Sequence, residues 1–100
     1  PQEPANITLS YQEGGTGGGA TTIDLISFVT DSNSYPIGNY EVSFSIEPGG
    51  LGSINPPTDL TDEIGQASVT FTYPVENSGT SVTFYAFAGS INTTLIIDLP

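Results

Sequence analysis

The residues of this chain that could do chemistry are carboxylates that precede a regular alternating segment. Asp59, Asp62 and Glu63 lie close together in the sequence, and a pair of carboxylates at a suitable separation can hydrolyse a glycosidic bond. The chain has no histidine, cysteine or lysine, so the usual nucleophile–base pairs are absent. Turn carboxylates that accept hydrogen bonds from their own backbone are the simpler interpretation. We therefore expect no enzymatic activity.

Calcium is the metal that these oxygen-rich residues would suit. It takes about six to eight oxygen ligands, which Asp, Glu and Asn side chains at turns can supply. The candidate ligands fall at two predicted turns and are Asp31, Asn33, Asp59, Asp62 and Glu63. Their spacing matches no dedicated calcium loop, and the alternative is that each shapes its own turn. Calcium is the one cofactor that the sequence suggests.

The charge composition excludes several classes of partner. The chain has 11 acidic residues and no lysine, arginine or histidine, which gives a net charge of -11. Nucleic acid is excluded as a partner because phosphate binding depends on Lys and Arg, and anionic membranes repel such a surface. Threonine and serine supply a neutral hydroxyl surface instead. A chain without Lys or Arg offers trypsin-like proteases no cleavage site, so we expect an extracellular or cell-surface location.

The length of 100 residues predicts one domain. A chain of this size can bury a core without disulfides or metals. It has no apolar run long enough to insert in a membrane. It also lacks a starting methionine, so we expect a mature fragment or an excised repeat. The predicted division is a linker at 1–4, a first strand at 5–12, a Gly-rich hinge at 14–19 and a sandwich body at 20–99.

Period-two alternation dominates the chain. Between Thr61 and Pro74 it is regular, and it directs Ala67, Val69, Phe71 and Tyr73 to one side. About seven such short segments lie between turn signals, and none of them shows a helical period. The pattern predicts an all-β antiparallel sandwich. We interpret Asp62 to Gly65 as a hairpin-type turn, in which the aspartate caps backbone amides and the glycine adopts a positive φ.

A family resemblance rests on three motifs: Thr30-Asp31 followed by Pro36, the alternation Tyr40-x-Val42-x-Phe44, and Thr61-Asp62-x-x-Gly65-x-Ala67. In this order and spacing, residues 6–99 resemble the bacterial Ig-like repeats of the invasin and intimin type. The resemblance implies an Ig-like sandwich of about seven strands that stands in a tandem extracellular array. The chain departs from the family in having Ser34 where a glycine is usual, and in having no lysine.

Large apolar residues fall on both sides of two predicted strands. With Val29 facing the core, the alternation sends Ile26 and Phe28 outward, and the same parity sends Tyr85 and Phe87 outward on a later strand. Several such residues suggest a patch, and exposed apolar patches mark interfaces. The alternatives are a bulge that shifts the register, or cover by a loop.

The first strand could pair outside its own domain. The stretch Gly14-Gly-Thr-Gly-Gly-Gly19 would act as a hinge. The apolar side chains of Ile7, Leu9 and Tyr11 would then fill the groove of a neighbouring subunit. The alternative keeps this strand in its own domain, with the glycines as a loose loop.

Two Asn-x-Thr sequons begin at Asn6 and Asn92. Such sequons accept N-linked glycans in secreted proteins. Both triplets also arise readily by chance in a Thr-rich sequence, so ordinary strand positions are the alternative interpretation.

These observations predict a non-enzymatic structural subunit or tandem repeat of an extracellular microbial filament, adhesin stalk or surface layer. Its partners would be copies of itself, paired through strands and apolar contacts. The alternative function is an adhesive module that recognises a glycan or a host receptor, with Tyr35, Tyr40 or Tyr85 as the exposed aromatic residue.

Overall fold

The alternating segments of the sequence form the strands of two antiparallel sheets. The computed structural model describes residues 3–47 and 49–100. Within these residues the strands are β1 (Asn6–Gly17), β2 (Ala20–Thr30), β3 (Glu41–Glu47), β4 (Ser53–Asn55), β5 (Thr58–Leu60), β6 (Gln66–Pro74), β7 (Ser81–Ala88) and β8 (Ile91–Asp98). Sheet A has the order β1-β2-β6-β4 and sheet B the order β5-β3-β7-β8. The predicted all-β Ig-like sandwich is therefore confirmed.

The core lies between the inner faces of the two sheets. The predicted inward residues of β6, which are Ala67, Val69, Phe71 and Tyr73, are all buried. Phe71 meets Phe84 of the opposite sheet edge-on, with 5.2 Å between ring centroids. Burying a side chain of this size stabilises the fold by about 1.5–3 kcal/mol. The alternation thus supplies the main stabilising contacts.

The Gly-rich segment, which was predicted to be a hinge, is part of a hairpin in the structure. β1 continues through this segment to Gly17, with a bulge between Glu13 and Thr16. Gly18 and Gly19 form the two-residue turn with φ of 63° and 84°. Two positive φ values in succession define the hairpin turn whose twist matches that of the strands, and glycine adopts it without steric cost. Gly18 and Gly19 thus form the turn that allows β1 to pair with β2.

The first strand completes its own sandwich. β1 pairs with β2 from Asn6 opposite Thr30 to Gly17 opposite Ala20. Ile7 and Leu9 are half-buried against the core, and Tyr11 is 37% exposed. Because a two-residue turn ties β1 to β2, the geometry gives the predicted strand donation no support. Of the predicted linker 1–4, residues 1 and 2 lie outside the described residues.

A strained serine occupies the turn position where the family usually has glycine. Ser34 has a φ of 66°, in the left-handed region that disfavours residues with a Cβ atom. We expect Ser34→Gly to raise the free energy of unfolding by about 0.5–1 kcal/mol, since the relief of strain exceeds the added entropy of the unfolded chain. Urea denaturation measures this change.

The matched control for that substitution is Ser32→Gly in the same exposed turn, because Ser32 does not have a positive φ. We expect this variant to be equal to the parent or slightly less stable. A Ser34→Gly variant no more stable than Ser32→Gly would contradict the strain argument.

Candidate interaction surfaces

Thr61 is hydrogen-bonded to the segment before β3 at the end of the domain where the chain enters. Its side chain is buried, and its hydroxyl donates to the carbonyl of Ile37 at 2.6 Å and accepts from the amide of Tyr40 at 2.9 Å. The Thr61 carbonyl accepts from the amide of Asn39 at 2.7 Å. One threonine thus fixes the segment that leads into β3.

The Asp62–Gly65 turn follows directly and crosses from sheet B to sheet A. It was predicted as a hairpin-type turn, but it joins β5 to β6, which lie in different sheets. The predicted capping is confirmed: Asp62 Oδ1 accepts from the amides of Ile64 and Gln66, each at 3.0 Å. Gly65 has a φ of 81°, and a Cβ there would lie 2.6 Å from the carbonyl oxygen of Val29. Both its backbone angle and its surroundings require glycine.

The turn after β2 is built in the same way and packs beside the first. Asp31 Oδ1 accepts from the amides of Asn33 at 2.9 Å and Tyr35 at 3.0 Å. Pro36 bridges back to Thr30, and it is the side chain that a Cβ on Gly65 would crowd at 3.1 Å. The entering chain meets these turns, because the amide of Ala5 donates to the Thr30 carbonyl at 2.9 Å.

Tyr73 anchors the chain where it leaves. Its ring is buried, and its hydroxyl donates to the carbonyl of Pro100 at 2.7 Å. Burial first, and then the charge of Glu13, raise the pKa of Tyr73 above its ordinary 10.0, whereas a hydrogen bond with Thr21 lowers it. The hydroxyl therefore stays protonated and able to donate at neutral pH. Leu99 adds two backbone hydrogen bonds, to Gly79 at 2.6 Å and to Thr80 at 2.9 Å.

The entry and exit anchors lie at opposite ends of the sandwich. The entry anchor is at Thr30, the last residue of β2, and the exit anchor is at Tyr73, which pairs with Thr21 near the start of β2. A strand rises about 3.3 Å per residue, so this part of β2 separates the anchors by about 30 Å. The domain measures 45 × 20 × 17 Å. The chain therefore runs through it along the long axis.

The outward-facing apolar residues divide between the two outer faces. Phe28 is 39% exposed and Ile26 half-buried on the outer face of sheet A, and Phe87 is 40% exposed with Tyr85 half-buried on that of sheet B. The predicted outward direction of these side chains is confirmed on both β2 and β7. Because the sheets pack through their inner faces, the four side chains form two separate patches.

The rings of the second patch lie together. Tyr85 and Phe87 have centroids 6.2 Å apart and an interplanar angle of 16°. The Tyr85 hydroxyl donates to Glu47 at 3.3 Å. Desolvation and the neighbouring carboxylate raise the pKa of Tyr85. This pair is called the aromatic platform below.

Comparison with known proteins assigns the fold to a family. The model of the bacterial Ig-like domain (group 1) family matches residues 6–96. The chain belongs to this family. No curated protein matches its sequence. Among solved structures, the D00–D0 domain of intimin is similar with a TM-score of 0.68 and 19% identity, over 97% of this chain and 46% of that chain. The chain thus spans about half the length of that structure and shares its fold.

The third motif of the resemblance has a structural role at each of its four named residues. Thr61 fixes the segment before β3, and Asp62 caps the turn. Gly65 adopts the positive φ that the turn requires, and Ala67 is the first buried residue of β6. The exit anchor at Tyr73 was not foreseen as a site. The alternation indicated that Tyr73 faces inward, but the partner of its hydroxyl is set by the path of residues far along the chain.

Three of the five predicted calcium ligands accept hydrogen bonds from the backbone of this Ig-like domain. Asp31 and Asp62 cap their turns, and Asp59 Oδ2 accepts from the amide of Ser68 at 2.9 Å. Asn33 and Glu63 are exposed. Within residues 3–47 and 49–100, no three His, Cys, Asp or Glu residues group closely enough to hold a metal. Calcium binding stays a prediction.

Both sequon asparagines are exposed in strands. Asn6 begins β1 and Asn92 is the second residue of β8. Among the aromatic residues predicted for glycan or receptor binding, Tyr35 is 64% exposed in a turn, whereas Tyr40 is half-buried against the core. In the part of the chain that the structure describes, no helix has the length and hydropathy needed to cross a bilayer.

The capping by Asp62 can be tested directly. We expect Asp62→Ala to lower the free energy of unfolding by about 1–2 kcal/mol, because two turn amides lose their acceptor. Asp62→Asn keeps an oxygen in place and should lose half of that or less. The control is Glu63→Ala in the same turn, which should change stability by less than about 0.5 kcal/mol. Equal losses in Asp62→Ala and Glu63→Ala, measured by urea denaturation, would contradict the capping role.

Proposed function

We propose that this Ig-like domain is a structural spacer in the extracellular part of a bacterial surface protein, joined end to end with neighbouring domains. The observation that carries the proposal is the placement of the two anchors. The chain enters beside Thr30 at one end and leaves beside Tyr73 at the other. A domain arranged in this way extends a chain along its own axis.

The anchors also fix the direction in which the chain enters and leaves the domain. Hydrogen bonds hold Ala5 at the entry and both Leu99 and Pro100 at the exit. A neighbouring domain would therefore be joined to a segment whose position and direction these bonds fix. Rigid connections between neighbouring domains favour an extended stalk over a flexible chain of domains.

The composition supports an exposed, non-enzymatic role. A surface of hydroxyl groups and scattered carboxylates keeps a long array soluble. The absence of Lys and Arg removes every site for trypsin-like proteases. The chain covers 46% of the similar intimin structure, which is the share that one unit of a two-unit segment would cover.

The proposal is tested by joining two copies in tandem, Pro100 to Pro1. We expect small-angle X-ray scattering to give a maximum dimension of about 90 Å, twice the 45 Å length of one unit. In the same tandem chain, Tyr73→Phe in the first copy removes the bond to Pro100 and should broaden the distribution of distances. A maximum dimension close to that of a single unit, which indicates folding back, would refute the spacer role.

Non-covalent assembly into a filament is a second candidate. The apolar patches lie on opposite outer faces, so one face of a copy could pack on the other face of the next without closing a ring. The net charge of -11 on every copy opposes such stacking. This candidate predicts polymers in sedimentation that Phe87→Asp abolishes and Ser90→Asp, at an exposed turn, preserves. A monodisperse monomer in all three proteins counts against it.

The alternative of glycan or receptor recognition keeps one structural argument, the aromatic platform. Flat aromatic surfaces suit the apolar faces of sugar rings. Tyr35 and Tyr40 do not add to that platform, since they lie outside β7 in settings of different exposure. Recognition of a free glycan stays a prediction.

A further inference from the structure

A sequon lies directly beside the aromatic platform. In the register of β7 and β8, Asn92 is opposite Phe87 and Thr94 is opposite Tyr85. Side chains directly opposite each other in an antiparallel pair have Cβ atoms about 4.5–5.5 Å apart. The asparagine that would accept a glycan is therefore the immediate neighbour of the exposed ring of Phe87.

All of these side chains are on the outer face of sheet B. Asn92 and Thr94 are exposed, as is Phe87, while their chain neighbours Thr93 and Ala88 are more buried. The hairpin turn between β7 and β8 contains only Gly89 and Ser90. Nothing in that turn is large enough to cover the ring.

The other flank of the platform is also open. On β3, Ser43 is opposite Phe87 and Ser45 is opposite Tyr85. These short hydroxyl side chains leave the rings uncovered and can hydrogen-bond to a neighbouring polar group. The rings thus lie between Ser43 and Ser45 of β3 and Asn92 and Thr94 of β8, and the charged Glu47 lies at the hydroxyl of Tyr85.

A sugar ring fits such a surface better than a charged group does. One face of a pyranose exposes C–H bonds and packs on an aromatic ring, and its hydroxyl groups reach sideways to polar neighbours. The frame contains no cation, so anionic groups have no counter-charge there. Covering an exposed ring removes apolar surface from water.

The second sequon has a related but looser arrangement. Asn6 is opposite Thr30, and Thr8 of the same sequon is opposite Phe28. Asn6 is thus a diagonal neighbour of Phe28, at about 7–8 Å. Phe28 and Phe87 are therefore each paired with a strand that contains a sequon. Only Asn92 is the asparagine directly opposite its phenylalanine.

We propose that Asn92 is an N-glycosylation site and that the first sugar of its glycan stacks on Phe87. In the transfer, Asn92 Nδ2 forms a bond to C1 of an oligosaccharide carried on a lipid pyrophosphate. The C1–O bond to the pyrophosphate breaks, the lipid pyrophosphate leaves, and Nδ2 gives up one proton. An oligosaccharyltransferase of the exporting cell supplies the catalysis, and Thr94 supplies the hydroxyl that completes the sequon.

The glycan explains why a large ring is tolerated on an outer face. The sugar covers Phe87 and prevents copies from packing through sheet B. It places further hydroxyl groups on a surface that already consists of them. This proposal does not depend on the spacer role, since a single glycosylated domain would show the same contact.

The test uses the chain secreted from eukaryotic cells, with Asn6→Gln to leave one sequon. We expect the intact mass to show one N-glycan, which Asn92→Gln removes. After trimming to one N-acetylglucosamine, the melting temperature should exceed that of the same chain from bacterial cytoplasm by about 3–6 °C. Phe87→Ser should abolish this increment and Phe28→Ser should preserve it. The two variants are matched because the rings are almost equally exposed, at 40% and 39%.

A direct readout keeps the proposal falsifiable if Phe87→Ser does not fold. We expect the C–H proton signals of the first sugar to shift upfield in NMR spectra, because the ring current of Phe87 acts on stacked protons. An unmodified Asn92, an increment that survives Phe87→Ser, or sugar signals without that shift would each overturn the proposal. So would an unmodified Asn92 in the protein isolated from the cell surface that carries it.

Discussion

The carboxylates of this domain can find only neutral partners, because the chain has no basic side chain. Asp31 and Asp62 accept from the amides of their own turns. Asp59 accepts from an amide of a different sheet, at Ser68. A hydrogen bond to a charged acceptor is stronger than a neutral one, so these carboxylates hold the backbone where the sheets meet. Stability otherwise depends on apolar burial and on the backbone ladders.

The same constraint explains how the ends are held. At the entry, Thr61 and the two capped turns position the segments that surround Ala5. At the exit, a buried tyrosine hydroxyl binds the backbone of Pro100. The anchors use short neutral or charge-assisted hydrogen bonds, which salt screens far less than exposed ion pairs. Such anchors therefore keep the ends of the domain in place over a range of ionic strength.

The outer faces of the two sheets expose apolar rings on a surface that is otherwise rich in hydroxyl groups. We have proposed two kinds of cover for Phe87, which are another copy of the chain and a sugar. Every copy has a net charge of -11, so contact between copies brings like charges together. A neutral glycan would bring no such repulsion, and the register of β7 and β8 places its proposed attachment point, Asn92, beside the ring.

The sequence by itself determined the sandwich, the direction of most side chains and the chemistry of the main turn. Alternation is a local property, so the inward residues of β6 and the outward pairs on β2 and β7 followed from it, as did the capping by Asp62. Composition misled at the Gly-rich segment, where glycine suggested a hinge but serves the positive φ of a hairpin turn. Only strand pairing could reveal that, because φ at Gly18 and Gly19 is set by the partner β2. Tertiary structure also decided that the apolar patches lie on opposite faces, that the chain leaves by way of Tyr73, and that Asn92 faces Phe87. Each of these depends on which strands become neighbours, and residues close in space but distant in the chain leave no local pattern.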